Sequence, residues 1–186
     1  MQFEQVFRIG DKLVSFDRAV RIVKQVLELR AQGHSQQEVS RILNLDRSFI
    51  SRLETAGEIR KGKRVAVIGF PVKNREQLVE ICHDLGLDFY LILTDAQRWK
   101  LVEDRQAMDF FNEIMEIIAG LKNFDALVLL TSERWYRLAE AILDLQIIFV
   151  NLGPTPVKED RFVDPERFRE MLEQVIETNP EGEESS

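Results

Sequence analysis

From Lys63 onward the chain alternates two kinds of segment, and this alternation restricts its fold more than any other feature. KRVAVIGF, DFYLILT, FDALVLLT and QIIFVNLG are short, nearly continuous apolar runs rich in β-branched and aromatic residues. Interleaved with them are NREQLVEICHDLG, a helical region over residues 96–121, SERWYRLAEAILDL and DPERFREMLEQVIE. An apolar run without polar alternation suits a strand covered on both faces, as in a parallel sheet flanked by helices. Right-handed crossovers then favour an α/β fold, a doubly wound, mostly parallel four-strand Rossmann-like sheet of order 2-1-3-4 or similar. Asn74 and Gln77 are placed as a capping pair with Gly86 as the stop, and Asp164 caps the last helix with Pro165 at its first position. Residues 96–121 are too many for one turn-capped helix, and a break is expected near residues 104–106.

The first third of the chain reads differently. VFRIGDKLVSF sets two short apolar runs around Gly10-Asp11, a pair suited to a type II′ turn, so a hairpin is expected within residues 5–16. In DRAVRIVKQVLELRAQ, Val20, Val23, Leu27 and Ile22, Val26, Leu29 recur at helical spacing, giving a broad apolar face over residues 17–32 that Gly33 ends. Two short helices hinged at NLD follow, and TAGEIRKGKR marks a boundary. The expected domains are residues 1–60 and 65–179, joined by a linker at 61–64 and followed by a disordered acidic tail at 180–186.

The formal charge of -7 hides an asymmetry between these parts. Residues 1–64 carry 13 Lys+Arg against 8 Asp+Glu, a net of +5, whereas residues 65–186 carry 12 against 24, a net of -12. A basic domain joined to an acidic one removes the objection that a chain this acidic would avoid nucleic acid.

The stretch SQQEVSRILNLDRSFISRLE then becomes specific. Val39, Leu43, Leu45, Ile50 and Leu53 supply an apolar set, and Ser40 is small where two helices approach. Asn44 occupies a turn that needs a left-handed backbone, where asparagine is one of the few substitutes for glycine. Ser35 caps the first helix, Glu38 completes a capping box, and Asp46 is placed to cap the second. Over these twenty or so residues the chain resembles the helix-turn-helix of Cro and phage-repressor-like (XRE) regulators. It departs in Ser40 for the usual alanine, Asn44 for the usual glycine, and in the absence of two further helices after the motif. The resemblance implies a sequence-specific, double-stranded-DNA-binding transcriptional regulator that works as a homodimer. In that reading Gln36 meets a phosphate, Arg47, Ser48, Ser51 and Arg52 face base edges, and Arg41, Arg60, Lys61, Lys63 and Arg64 supply phosphate contacts. The competing explanation is a helical hairpin with solvated arginines, but cap, turn, small-residue and charge signals agree on the first.

For the second domain, ligands are expected at the carboxyl ends of the strands, with Phe70, Asp95, Ser132, Asn151 and Gly153 as rim residues. VIGFPVKN lacks the glycines of a dinucleotide cradle. Asp95 or Thr94, and Thr131 or Ser132, read first as helix caps and second as ligand contacts. Cys82, the single cysteine, lies on an apolar helical side and reads as a buried thiol, and His34 and His83 have no partner at metal-ligand spacing. No catalytic constellation is readable, so no enzyme, metal or resident cofactor is expected, only a small-molecule effector or a dimer contact. MDFFNEIMEIIAGL, with Phe110, Phe111, Ile114, Met115, Ile117, Ile118 and Leu121 around most of a helix, implies burial by the sheet alone or by the sheet and a partner. The alternative function is a small-molecule-binding or catalytic Rossmann-like protein whose N-terminal helices mediate protein contacts. Without a basic-then-apolar leader or an apolar run near the roughly 20 residues of a membrane span, a cytoplasmic location with no membrane contact is expected.

Overall fold

Gly10 turns the chain at its start. The computed structural model describes residues 4–59, 61–103 and 107–176, and in it β1 (Val6–Ile9) pairs antiparallel with β2 (Lys12–Ser15), Ile9 opposite Lys12. Gly10 has φ +60° while Asp11 is not among the residues of positive φ, the pattern a type II′ turn requires. The chain divides into two units, Met1–Glu58 and Ile59–Ser186.

In the first unit α1 (Phe16–Ala31) begins one residue earlier than expected, because Ser15 Oγ accepts a hydrogen bond from the Arg18 N–H at 3.1 Å. Its broad apolar face is only partly used. Val26 is buried, while Val20, Ile22 and Leu27 stay exposed. After Gly33, at φ +93°, come α2 (Gln36–Leu43) and α3 (Arg47–Ala56). Val26, Val39 and Ile50, one from each helix, form a fully buried centre that Leu29, Leu43, Leu45 and Leu53 surround.

The second unit runs β3 (Val65–Gly69), α4 (Arg75–Asp84), β4 (Phe89–Ile92), α5 (Asp95–Glu103), α6 (Ala107–Leu121), β5 (Ala126–Thr131), α7 (Glu133–Ile142), β6 (Gln146–Asn151) and α8 (Pro165–Val175). All four strands are parallel, in the order β4-β3-β5-β6, which is the expected 2-1-3-4. On one face Val65, Val67, Val128 and Leu130 meet Leu78, Cys82, Phe168 and Leu172 from α4 and α8. On the other, Ala66, Leu127 and Leu129 meet Leu121, Tyr136 and Ala139 from α6 and α7. Every residue of β5 is buried, which is why its sequence shows no polar alternation.

Residues 62–64 are tied to later parts of the chain: Gly62 bridges to Ile176 and donates to the Val175 carbonyl, and the Arg64 N–H donates to Asp125. Two local expectations need correction. Asn74 does not cap α4 with its side chain. Its amide instead donates to the Val163 carbonyl and to Gln77, and accepts from the Val163 N–H, tying α4 to the segment before α8. Ser132 occupies the N-cap position of α7 but makes no capping hydrogen bond. The break near 104–106, Arg60, and the tail at 180–186 lie outside the described residues. Among the described residues no helix is long and apolar enough to cross a membrane.

Candidate functional sites

The α2–α3 hairpin is built from local signals that agree. Ser35 Oγ accepts from the Glu38 N–H at 3.2 Å while the Ser35 N–H donates to Glu38 Oε2 at 2.7 Å, a complete capping box. Asn44 closes α2 in the left-handed region at φ 51°. Ser40 does more than leave space, since its hydroxyl donates to the Leu45 carbonyl at 2.6 Å and holds the turn. Asp46 accepts from the Ser48 N–H at 2.6 Å and so starts α3. At about 100° per residue, Arg47, Ser48, Ser51 and Arg52 share one face of α3, opposite Ile50 and Leu53. All four are exposed, and Arg41, Arg47 and Arg52 make no ion pair among the described residues.

Gln36 is drawn inward. Its amide donates to Glu54 Oε2 at 2.7 Å, and Glu54 also receives Arg30 from the end of α1. Arg30 donates in addition to the His34 carbonyl. This clasp joins α1, the start of α2 and the end of α3. The hydrogen bonds from Arg30 and Gln36 hold the Glu54 carboxyl below the usual glutamate range. Lys61, Lys63 and Arg64 belong to the second unit, where Arg64 pairs with Asp88 at 3.2 Å and lies over the Phe124 ring.

In the second unit a cleft of about 600 Å³ opens beside the carboxyl ends of β3 and β5. Connections leave these two strands in opposite directions along the sheet, so this is the topological switch point where open α/β sheets take ligands. Of the expected rim, Phe70 and Ser132 line the cleft. Asp95 contributes only through Arg98, which it holds at 2.6 Å, while Thr94 and Gln97 form the cap of α5. Asn151 and Gly153 are not among the lining residues. The Asn151 side chain accepts from the Gly153 N–H in a turn of its own.

The remaining lining is not evident from strand ends. Arg134, Trp135, Arg137, Leu138 and Ala141 come from α7, and Thr155, Pro156 and Val157 from the loop after β6. Trp135 meets Phe70 edge to face at 5.8 Å. Arg137 pairs with Glu133, whereas Arg134 has no carboxylate partner among the described residues. The signal for α7 was present in ERWYRLAEA, where positions 134, 138 and 141 fall on one helical stripe.

Cys82 is fully buried, and burial pushes its thiol up to about 12, so it is inert at neutral pH. Among the described residues no group of three His, Cys, Asp or Glu side chains could hold a metal ion. No family model, curated protein or solved structure matches this chain.

Proposed function

We propose that the chain is a sequence-specific DNA-binding transcriptional regulator, with the first unit as reading head and the second as a dimerisation and sensing module. The observation that carries this reading is the face of α3, where Arg47, Ser48, Ser51 and Arg52 are exposed at the start of a helix whose cap, turn and core contacts are all satisfied. An arginine fork matches the O6 and N7 acceptors of guanine in the major groove, and serine accepts either role with less discrimination. Arg41, exposed in the last turn of α2, supplies a phosphate contact. Gln36 serves the clasp rather than a phosphate, and Arg64 serves the second unit. Residues 1–64 carry a charge of +5 that gives the long-range attraction, of which Arg60, Lys61, Lys63 and Arg64, just beyond the first unit, contribute +4. Dimerisation supplies the second half-site that a short reading head needs.

Selection of duplexes from a random pool by the full chain tests this directly. A palindromic site should emerge, with affinity falling steeply as salt rises. Arg47→Ala and Arg52→Ala should each weaken that site by roughly 10- to 100-fold, the worth of one bidentate base contact. Enrichment of no sequence, or variants that bind equally well with the fold intact, would end the reading.

A further inference from the structure

The cleft at the switch point contains groups that the fold itself leaves unused. Thr131 and Ser132 line it, 1% and 2% exposed, at the carboxyl end of β5 and the start of α7. Ser132 stands where a serine ordinarily satisfies the first N–H groups of a helix, and it does not do so. The Trp135 and Tyr136 N–H groups donate to the Ser132 carbonyl, so those of Glu133 and Arg134, with the positive end of the α7 dipole, are left for another acceptor. Arg98, Arg134 and Arg137 converge on the same cleft, and no acidic residue lines it. Two of these arginines are already held by Asp95 and Glu133, but Arg134 is not.

We propose that this cleft binds a small organic phosphate with a flat apolar body, and that this molecule is the effector of the regulator. The donor set exceeds what a carboxylate can use. The free N–H groups at the start of α7, two hydroxyls and the Arg134 guanidinium, with Arg98 and Arg137 adding positive charge beside it, match the three terminal oxygens and double charge of a phosphate monoester. The apolar wall made by Phe70, Pro71, Trp135, Leu138 and Val157 requires more than an inorganic ion, and Trp135 and Phe70 offer ring faces and edges to a flat group. A volume of about 600 Å³ holds one molecule of that size. The effector role rests on the regulatory reading above, whereas binding to the cleft does not.

Titration of the full chain with phenyl phosphate, adenosine monophosphate, inorganic phosphate and benzoate, followed by calorimetry and thermal shift without DNA, tests the site. One of the two organic phosphates should bind saturably, at least about tenfold more tightly than inorganic phosphate or benzoate, and raise the melting temperature. Arg134→Ala should weaken that binding about tenfold or more, and Arg134→Lys should recover only part of it, since an ammonium cannot make the bidentate contact. Arg134 is an exposed side chain, so its replacement leaves the core untouched. Absence of saturable binding by both organic phosphates, equal binding of benzoate, or unchanged binding by Arg134→Ala overturns the assignment. A protein that binds the phosphate but selects no duplex retains the site and loses only the regulator reading. One that selects a duplex and binds no organic phosphate loses only the site.

Discussion

Glu54 is the residue on which the three helices of the first unit converge, through Arg30 from α1 and Gln36 from α2. Its carboxyl is held below the usual range by those two donors, so the pair stabilises the folded form while Glu54 is ionised there and protonated less readily than in the unfolded chain. That contribution is complete above the ordinary glutamate range and is lost as pH falls through the lowered value. Glu54→Gln should therefore destabilise the first unit near neutral pH by about 1 kcal/mol, the scale for a partly exposed pair reinforced by a hydrogen bond. The deficit should disappear in acid, where the native side chain is itself protonated. Hydrogen exchange of the Val26, Val39 and Ile50 amides across the carboxylate range measures it, and a deficit independent of pH would refute the ionic account. The sequence placed Gln36 correctly on the first turn of α2 but sent it outward to a phosphate. Its partner stands eighteen residues away, and only the packing of three helices brings the two together.

At the scale of the element, the turn between α2 and α3 shows which local signals survive into the fold. Asn44 adopts φ 51°, a region that costs residues with a Cβ about 1 kcal/mol, and asparagine somewhat less. Asn44→Ala should destabilise the first unit by about 1 kcal/mol, whereas Asn44→Gly should be close to neutral, as thermal melts of both variants would record. Equal losses in the two would mean that the asparagine side chain, and not the backbone, matters. This turn, the Ser35 capping box and the Asp46 and Asp164 caps were readable because each involves partners within a few residues. Asn74 and Ser132 carry the same local signal and do not cap. For Asn74 a partner 89 residues distant, Val163, competes successfully for the amide. Arg134 and Arg137 of the cleft are hidden for a related reason: α7 reads as an ordinary amphipathic helix until the sheet places it beside the ends of β3 and β5.

The whole molecule repeats that division between what periodicity determines and what close packing decides. The strand order was legible because four fully apolar runs separated by helices admit few right-handed arrangements. Close packing is visible at Gly62, which is buried and where a Cβ would approach Asp125 Cβ to 2.9 Å, a contact between residues 63 positions apart that no local signal announces. Packing also decides the fate of α6, whose apolar residues promised burial on several sides. Among its described residues only Leu121 is buried, and the sheet half-covers Ile117, but Met108, Phe111 and Met115 stay 66%, 57% and 46% exposed. Those three positions fall within about 60° of one another on the helix, forming an apolar stripe beside the half-buried one. If the proposed regulator is a dimer, this stripe is the surface on α6 that a second copy of the chain would cover. Met115→Glu should convert a dimer into a monomer in sedimentation velocity without loss of helical circular dichroism, because the side chain takes no part in the core. The same variant should lose most of its affinity for a palindromic duplex while still binding an organic phosphate, since the cleft lies at the strand ends and requires no second copy. A chain that sediments as a monomer at all concentrations, or a Met115→Glu variant that remains dimeric, would remove α6 from the interface and require the two half-sites to be joined some other way.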